Sequence, residues 1–420
     1  MTDKSTHLNA SPIDALVAMR GIETQFIDAY GNPTTVAEGT KEKILHTMGY
    51  AVDDEPRLIS QIDEQVRDAW ETPLDPVKVL RDAQAQYIAL RLPIALVNTP
   101  LTLRIELEDG TELTQSLMAI DAELVNAAEV DGFEYQEFAV LIEAPLPHGY
   151  HQITLLHDTL TLAAGRLIKA PDACYTPDVI AQGKKIWGLS VQLYCVRSER
   201  NWGMGDFTDL QYLLRNAAQQ GADFIGLNPI HALYPNNPDA CSPYSPSSRK
   251  WLNHLYVDVT SVSEYQTDSV QAIVNEPEFL AKLQQARAVG FVDYEAVAAL
   301  KMPVLNALYS EYSQGDTSAL DAFIEQGGES LAALATYDAL AEHLAQQGEP
   351  AWGWPVFPEA YQSYQSEAVS EFAKTHAVRV RFYAYLQFLA DTQFTAASQV
   401  ASELGLTIGI YRDLAVGVSE

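Results

Sequence analysis

Three aspartates, Asp206, Asp258 and Asp413, stand at or near the ends of short apolar runs that read as strands. Glycosidic bond chemistry takes two carboxyl groups flanking the bond, one as acid/base and one as nucleophile or base, so these are the carboxylates to weigh. Each also has a structural alternative. Asp206 ends Trp202-Gly203-Met204-Gly205-Asp206 just before a helical pattern, and a helix cap is the favoured reading. The two glycines resemble a phosphate loop only superficially, because no Lys-Ser/Thr pair follows. Asp258 follows an alternating LYVDV run and reads equally as a cap, and Arg412-Asp413 reads equally as an ion pair on a strand edge. Spacing alone makes no catalytic pair of them.

The loop between these carboxylates suggests a ligand class. Residues 228–248 hold five prolines, three asparagines, four serines and two tyrosines. Proline fixes φ and so holds neighbouring side chains in place without burial. Asn, Ser and Tyr offer hydrogen bonds, and aromatic rings offer flat faces to a sugar. The combination suits a neutral polyhydroxylated ligand, although a rigid structural loop would share it. In GEPAWGWPVFPEAY, Trp352 and Trp354 are either stacking faces or core.

The elements that must hold these residues follow from periodicity. Apolar runs at 186–193 and 223–230 flank the helical QYLLRNAAQQG. Strand, crossover helix and second strand make a parallel unit whose loops share one face. Helical patterns follow at 303–312, 331–347 and 369–404, the last rich in aromatics and expected to be buried on more than one side. A third strand is expected at 406–411. An eight-stranded parallel barrel takes about 250 residues; here the 235 residues from Ile186 onward supply three strands. The expected fold class is therefore α/β: the first part of an incomplete (β/α)8 TIM barrel with helical insertions, in a chain lacking its C-terminal half. Open strand edges predict low solubility for it in isolation.

Upstream, residues 1–75 read as a helical segment, with Ser11-Pro12 opening one helix, Thr40 capping a second, and Leu58, Ile62, Val66 and Trp70 on one face of a third. Residues 76–165 alternate and read as a small antiparallel β-domain, a sandwich. Asp109-Gly110 there predicts a type I′ hairpin turn. Tyr135 and Tyr150 are core or interdomain residues, or stacking faces for carbohydrate. Residues 166–185, with Pro171, Pro177 and Gly183, read as a linker before the 186–420 region.

Composition excludes several classes. With 26 Lys and Arg against 56 Asp and Glu, the net charge of -30 repels nucleic acid and anionic membranes. No apolar stretch has membrane-spanning length, and MTDKSTHLNASPID has no signal-type apolar core. Cys174, Cys195 and Cys241 show no CxxC spacing and suit a reducing cytoplasm. Nine scattered His give no ligand spacing, so neither a metal nor a cofactor is expected.

Five segments in order, SVQLYCVRSERNWGMGDFTDL, GADFIGLNPIHALYP, SPYSPSSRKWLNHLYVDV, FVDYEAVAALKMPVL and LGLTIGIYRDLAVGVSE, resemble the 4-α-glucanotransferases (amylomaltases, disproportionating enzymes) of the α-amylase clan. The resemblance covers 186–420, and the upstream regions resemble the extension of the longer bacterial members. It implies transfer of α-1,4-glucan segments between maltodextrins, glucose included as acceptor, by retaining double displacement. In that family an Asp nucleophile lies in a later R-x-D-H motif, followed by the acid/base Glu and a stabilising Asp. None of those motifs occurs in these 420 residues, so the resemblance assigns no catalytic residue here. It does assign substrate-side residues: Tyr244 and Ser245 in the SPY motif lining the cleft, Asn253 and Asp258 in N-x-x-x-x-D shaping that loop, and Arg412 and Asp413 bordering the donor subsite. Trp352 and Trp354 complete the candidates. A non-catalytic glucan-binding fragment and an α-amylase-like hydrolase are the alternatives.

Overall fold

A computed structural model of the protein describes residues 11–417. The expectations for residues 1–10, part of the N-terminal segment, and for 418–420 lie outside the described residues. The chain divides into two compact units, Met1–Tyr175 and Thr176–Glu420.

The first unit opens with α1 (Pro12–Met19), the short hairpin β1 (Gln25–Ile27) and β2 (Pro33–Thr35), α2 (Glu38–Thr47) and α3 (Glu55–Glu71). Ser11 caps α1 by accepting from the Asp14 amide at 3.2 Å, with Pro12 in the first turn, where a missing N–H costs nothing. Thr40 caps nothing. Ala37 holds the cap position of α2 without a side-chain bond, because the helix starts before the threonine. Leu16, Val17, Leu45, Tyr50 and Leu58 form a small core. On α3, Leu58 is buried, but Val66 is exposed, so the expected stripe is buried at its start and not along its whole length.

The sandwich follows: β3 (Val77–Arg81), β4 (Tyr87–Pro93), β5 (Leu101–Glu106), β6 (Glu112–Leu117), β7 (Glu123–Val130), β8 (Phe133–Leu141), β9 (Gly149–His157) and β10 (Leu160–Ala170). One sheet has the order β3-β10-β9-β5-β6 and the other β4-β8-β7, with alternate apolar side chains of both sheets in a single core. The expected edge at residue 165 falls inside β10. That strand continues to Ala170, because residues 166–170 pair in parallel with all of β3. The 166–185 stretch is thus strand first, and then the single turn α4 (Asp178–Ala181).

The Asp109-Gly110 hairpin forms, but not as a type I′ turn. Asp109 keeps a negative φ and only Gly110 (φ 82°) is left-handed, with the Gly110 amide donating to the Leu107 carbonyl. The two-residue turn with positive φ at both positions is Asp131-Gly132, at 51° and 82° between β7 and β8.

The second unit holds the parallel sheet β11 (Gly188–Val191), β12 (Phe224–Leu227) and β15 (Gly409–Arg412), in that order. Among the described residues it is an open three-stranded sheet. Helix α5 (Phe207–Gln219) crosses from β11 to β12. Between β12 and β15 run the short pair β13 (His231–Ala232) and β14 (Ser248–Leu252), then α6 (Asp268–Val274), α7 (Pro277–Ala288), α8 (Tyr294–Tyr312), α9 (Ser318–Gln346), α10 (Glu367–Thr375) and α11 (Ala377–Glu403). Helix α9 kinks at Gly328, whose φ of 52° a side chain would resist. The run expected as one helix over 369–404 breaks at His376 into α10 and α11. Six consecutive residues of α11, Phe382 to Gln387, are buried, which explains its aromatic content. The packed core of this unit runs from Leu193 to Ala401. No helix among the described residues is long and apolar enough to cross a membrane.

Candidate functional site

The three parallel strands end at a common cleft of about 670 Å³, lined by Ser190, Gln192, Cys195, Asn228, Tyr244, Tyr411 and Asp413 among others. Position in the sheet explains the lining. Ser190, Gly226 and Tyr411 are register partners, so their side positions share one face. A Cβ on Gly226 would lie 2.8 Å from Tyr411 Cδ1, so the ring of the third strand crosses the bare backbone of the second.

Tyr244 and Asp413 meet here. The Tyr244 hydroxyl donates to Asp413 Oδ2 at 3.2 Å. Partial burial, and then the Asp413 carboxylate, raise the Tyr244 hydroxyl above its ordinary pKa, which keeps it a donor. The Asp413 backbone is fixed by its amide bonding to the Leu227 carbonyl at 3.2 Å, which extends the sheet register by one residue. Beyond it, the Ala415 amide donates to His231 Nε2 at 3.3 Å, and Arg249 donates to the Ala415 and Val416 carbonyls at 3.5 and 3.3 Å. Burial, together with the nearby Arg412 and Arg249, lowers the His231 pKa and so keeps that nitrogen free to accept.

The other expected residues are distributed differently. Ser245 is exposed on the same loop but does not line the cleft. Arg412 points off the cleft, its guanidinium 5.4 Å from the centre of the Phe394 ring. Trp352 and Trp354 are each 54 % exposed, so neither is core, and Trp354 lines a separate hollow. Asn253 and Asp258 do not reach the cleft. Asn253 is 3 % exposed and its Oδ1 accepts the Leu255 amide at 3.0 Å. Asp258 is 4 % exposed and caps the turn at Thr260 at 3.0 Å. Both lie beneath the surface and bond backbone amides of the loop, so here they support its shape and neither lines the cleft.

Asp206 is also structural. It forms a reciprocal capping box with Asp209 at the start of α5: Asp206 Oδ1 accepts the Asp209 amide at 2.9 Å and Asp209 Oδ2 accepts the Asp206 amide at 3.1 Å. Three carboxylates, Asp206, Asp209 and Asp258, converge on Arg200, which bonds Asp206 closely and reaches Asp209 at 2.9 Å and Asp258 at 2.8 Å. Burial works against the Arg200 charge, but the Asp206 bond and the three carboxylates outweigh it and hold the pKa above its ordinary value. Burial pushes the Asp206 carboxyl up, and Arg200 pulls it back. The preceding glycines are there for space: a Cβ on Gly205 would fall 2.1 Å from the Leu193 carbonyl oxygen.

Several supports carry no motif. The Lys301 ammonium, on α8, is fully enclosed and donates to the Leu255 and Val257 carbonyls at 2.6 and 2.8 Å. Gln387 brackets Leu252, accepting its amide and donating to its carbonyl at 2.9 Å each, and Gln393 does the same at Asp258 at 2.8 and 3.0 Å. Asn228 Oδ1 takes the Leu193 amide at 3.0 Å, tying together the ends of the first two strands. Arg287, at the end of α7, donates to the Asn201 and Arg200 carbonyls at 2.7 and 2.8 Å. For Lys301, Arg287, Gln387 and Gln393 the sequence signal was a polar residue within a helical pattern, and for Asn228 its place at the start of the 228–248 loop. The three cysteines are free thiols. Among the described residues no three His, Cys, Asp or Glu converge as a metal site.

Comparison with known proteins agrees with this architecture. The family profile described as 4-alpha-glucanotransferase matches residues 191–420, and that of the MalQ N-terminal beta sandwich domain matches 73–171. A 4-alpha-glucanotransferase of Haemophilus influenzae is 36% identical over 292 residues, 67% of this chain and 42% of that protein. One from Mycobacterium bovis is 30% identical over 410 residues, 95% of this chain and 54% of the relative. The crystal structure of amylomaltase from Corynebacterium glutamicum superposes with a TM-score of 0.74 at 27% identity, covering 97% of this chain and 55% of that one. The chain thus spans about half the length of the curated relatives it matches. With an amylomaltase-like α/β fold behind a β-sandwich, and a profile match over more than half its residues, the chain belongs to the 4-alpha-glucanotransferase family.

Proposed function

We propose that these residues form one wall of the glucan cleft of an enzyme that moves α-1,4-glucan segments from maltodextrin donors to maltodextrin or glucose acceptors by retaining double displacement. The observation that carries this is the Tyr244–Asp413 pair, set in an open cleft at the C-terminal ends of three parallel strands, where parallel α/β folds hold ligands. In this reading the three strands are the first part of a (β/α)8 barrel. Tyr244 offers an apolar ring face to a sugar and orients Asp413 with its hydroxyl. Asp413, Asn228, Gln192 and Ser190 meet the sugar hydroxyls, with Ser245 and Arg412 at the border. Three free thiols fit a reducing compartment such as the cytoplasm.

Chemistry at the bond takes two carboxyl groups, and among the described residues Asp413 is the one carboxylate lining this cleft. That observation favours a second reading for these 420 residues taken alone: they bind glucan without cleaving it. Incubation with maltotriose separates the possibilities. Glucose appearing with maltodextrins longer than maltotriose supports transfer, and glucose with equimolar maltose supports hydrolysis. Saturable binding without products supports the binding-only reading.

A further inference from the structure

A second concavity lies beside the cleft. It has a volume of about 480 Å³ and its polar and aromatic walls include Tyr234, Ser247, Arg249, Ser330, Tyr337 and Trp354. It adjoins a hollow of about 320 Å³ that shares Ala333, Tyr337 and Trp354 and adds Phe357 and Tyr364. The Trp354 ring stands between the two hollows and is 54 % exposed. Water around an indole is unfavourable, and exposed aromatics on a rigid frame mark binding surfaces.

The frame here is rigid. Trp354 begins a 3₁₀ turn whose second residue is Pro355, and the next ring, Phe357, is buried and stacks on Tyr337 at 5.7 Å and 23°. Gln362 Nε2 donates to the Pro355 and Phe357 carbonyls at 3.3 and 2.9 Å. On the opposite wall, Ser330 Oγ accepts from Trp251 Nε1 at 3.1 Å, which leaves its own O–H to donate. Among the described residues the lining has no carboxylate and one cation, which suits an uncharged, hydroxyl-rich ligand.

Groove and cleft share their dividing wall. The loop that places Tyr244 in the cleft places Ser247, Ser248 and Arg249 in the groove. The segment that places Asp413 in the cleft places Gly417 in the groove, and Arg249 ties it down through Ala415 and Val416. Four or five residues of chain reach at most about 18 Å, so one ligand of several sugar units can touch both.

We infer that the Trp354 groove is an outlying subsite for long α-1,4-glucans, holding the far end of a chain whose near end lies against Tyr244. The inference rests on the glucan reading of the cleft. A sugar face stacks on Trp354 while Tyr234, Ser330 and Arg249 meet its hydroxyls. Oligosaccharides too short to span both places gain nothing from it, so the groove sets a chain-length preference.

Calorimetric titration of the 420-residue chain with maltoheptaose and with maltotriose tests this. Trp354→Ala is expected to weaken maltoheptaose binding about 5- to 10-fold and maltotriose binding less than about 2-fold, whereas Tyr244→Ala weakens both. Unchanged maltoheptaose binding in Trp354→Ala, or equal weakening of both sugars, overturns the subsite while the loss in Tyr244→Ala leaves the glucan reading standing. If the unsubstituted chain binds neither sugar, the glucan reading of this chain falls and the subsite with it. Should Trp354→Ala not unfold cooperatively, Ala333→Arg, which blocks the groove from the α9 side, carries the same two outcomes.

Discussion

The Tyr244 hydroxyl bonds to Asp413 Oδ2 across 3.2 Å although 169 positions separate the two residues in the chain. Both side chains stand on loops fixed from below, so the pair is preorganised, and ligand binding need not bear the cost of ordering it. Tyr244→Phe removes only the hydroxyl. Because the tyrosine is exposed, the urea unfolding midpoint should not move, while maltotriose affinity should fall about 3- to 10-fold. Equal affinity in the variant would show that the hydroxyl orients nothing the sugar uses.

Among the described residues Arg200 is the one cation in direct contact with Asp206, Asp209 and Asp258, all nearly buried. Arg200→Met leaves their charge uncompensated, and breaking such a site costs about 3–5 kcal/mol. Chemical denaturation at pH 7 should show that loss, with partial recovery in acid as the Asp206 carboxyl, pushed up by burial, protonates. A variant as stable as the parent would mean that Lys301 alone balances the cluster.

Two glycines allow close approaches of different stiffness. At Gly205 an added Cβ meets the Leu193 carbonyl oxygen at 2.1 Å, backbone against backbone; at Gly226 it meets the Tyr411 ring, whose far edge faces open space. Gly205→Ala should cost about 3 kcal/mol, and Gly226→Ala about 1 kcal/mol. Urea midpoints at unchanged slope measure both, and the reverse order would contradict the contacts.

His254 is fully enclosed, and burial, with Lys301 nearby, lowers its pKa to about 4. The unfolded chain takes up a proton at His254 below pH 6.5, and the folded chain does so only near 4. Stability therefore rises with pH across that window, is complete above it, and is lost as pH falls from 6.5 towards 4, by about 3 kcal/mol for this group. His254→Phe should flatten that part of the stability–pH curve. An unaltered slope between pH 6.5 and 4.5 would assign the acid sensitivity elsewhere.

What was legible in the sequence was local. Ser11-Pro12 and Asp206 announce their helices because a cap acts within three residues. The three parallel strands appear as apolar runs, and β15 differs from its expected position by a few residues because Gly409 begins the pairing. Tyr244 and Asp413 could be named singly, but nothing in their spacing joins them; the sheet does that. Asn253 and Asp258 look like surface polar residues in a loop, and their burial depends on Gln387, Gln393 and Lys301 arriving from helices more than forty residues away. The Asp131-Gly132 turn was outshone by Asp109-Gly110, although only the former places a non-glycine residue at positive φ.

Lys301 also says something about modularity. Its single ammonium plugs two carbonyls of the loop after β14, and Arg287 reaches back to the loop after β11. The helical excursion between the second and third strands is thus stitched into the floor beneath it. Excising α6–α9 would orphan backbone oxygens under the cleft, so a shortened version of this unit must bring its own donors to those positions before it can do without the helices.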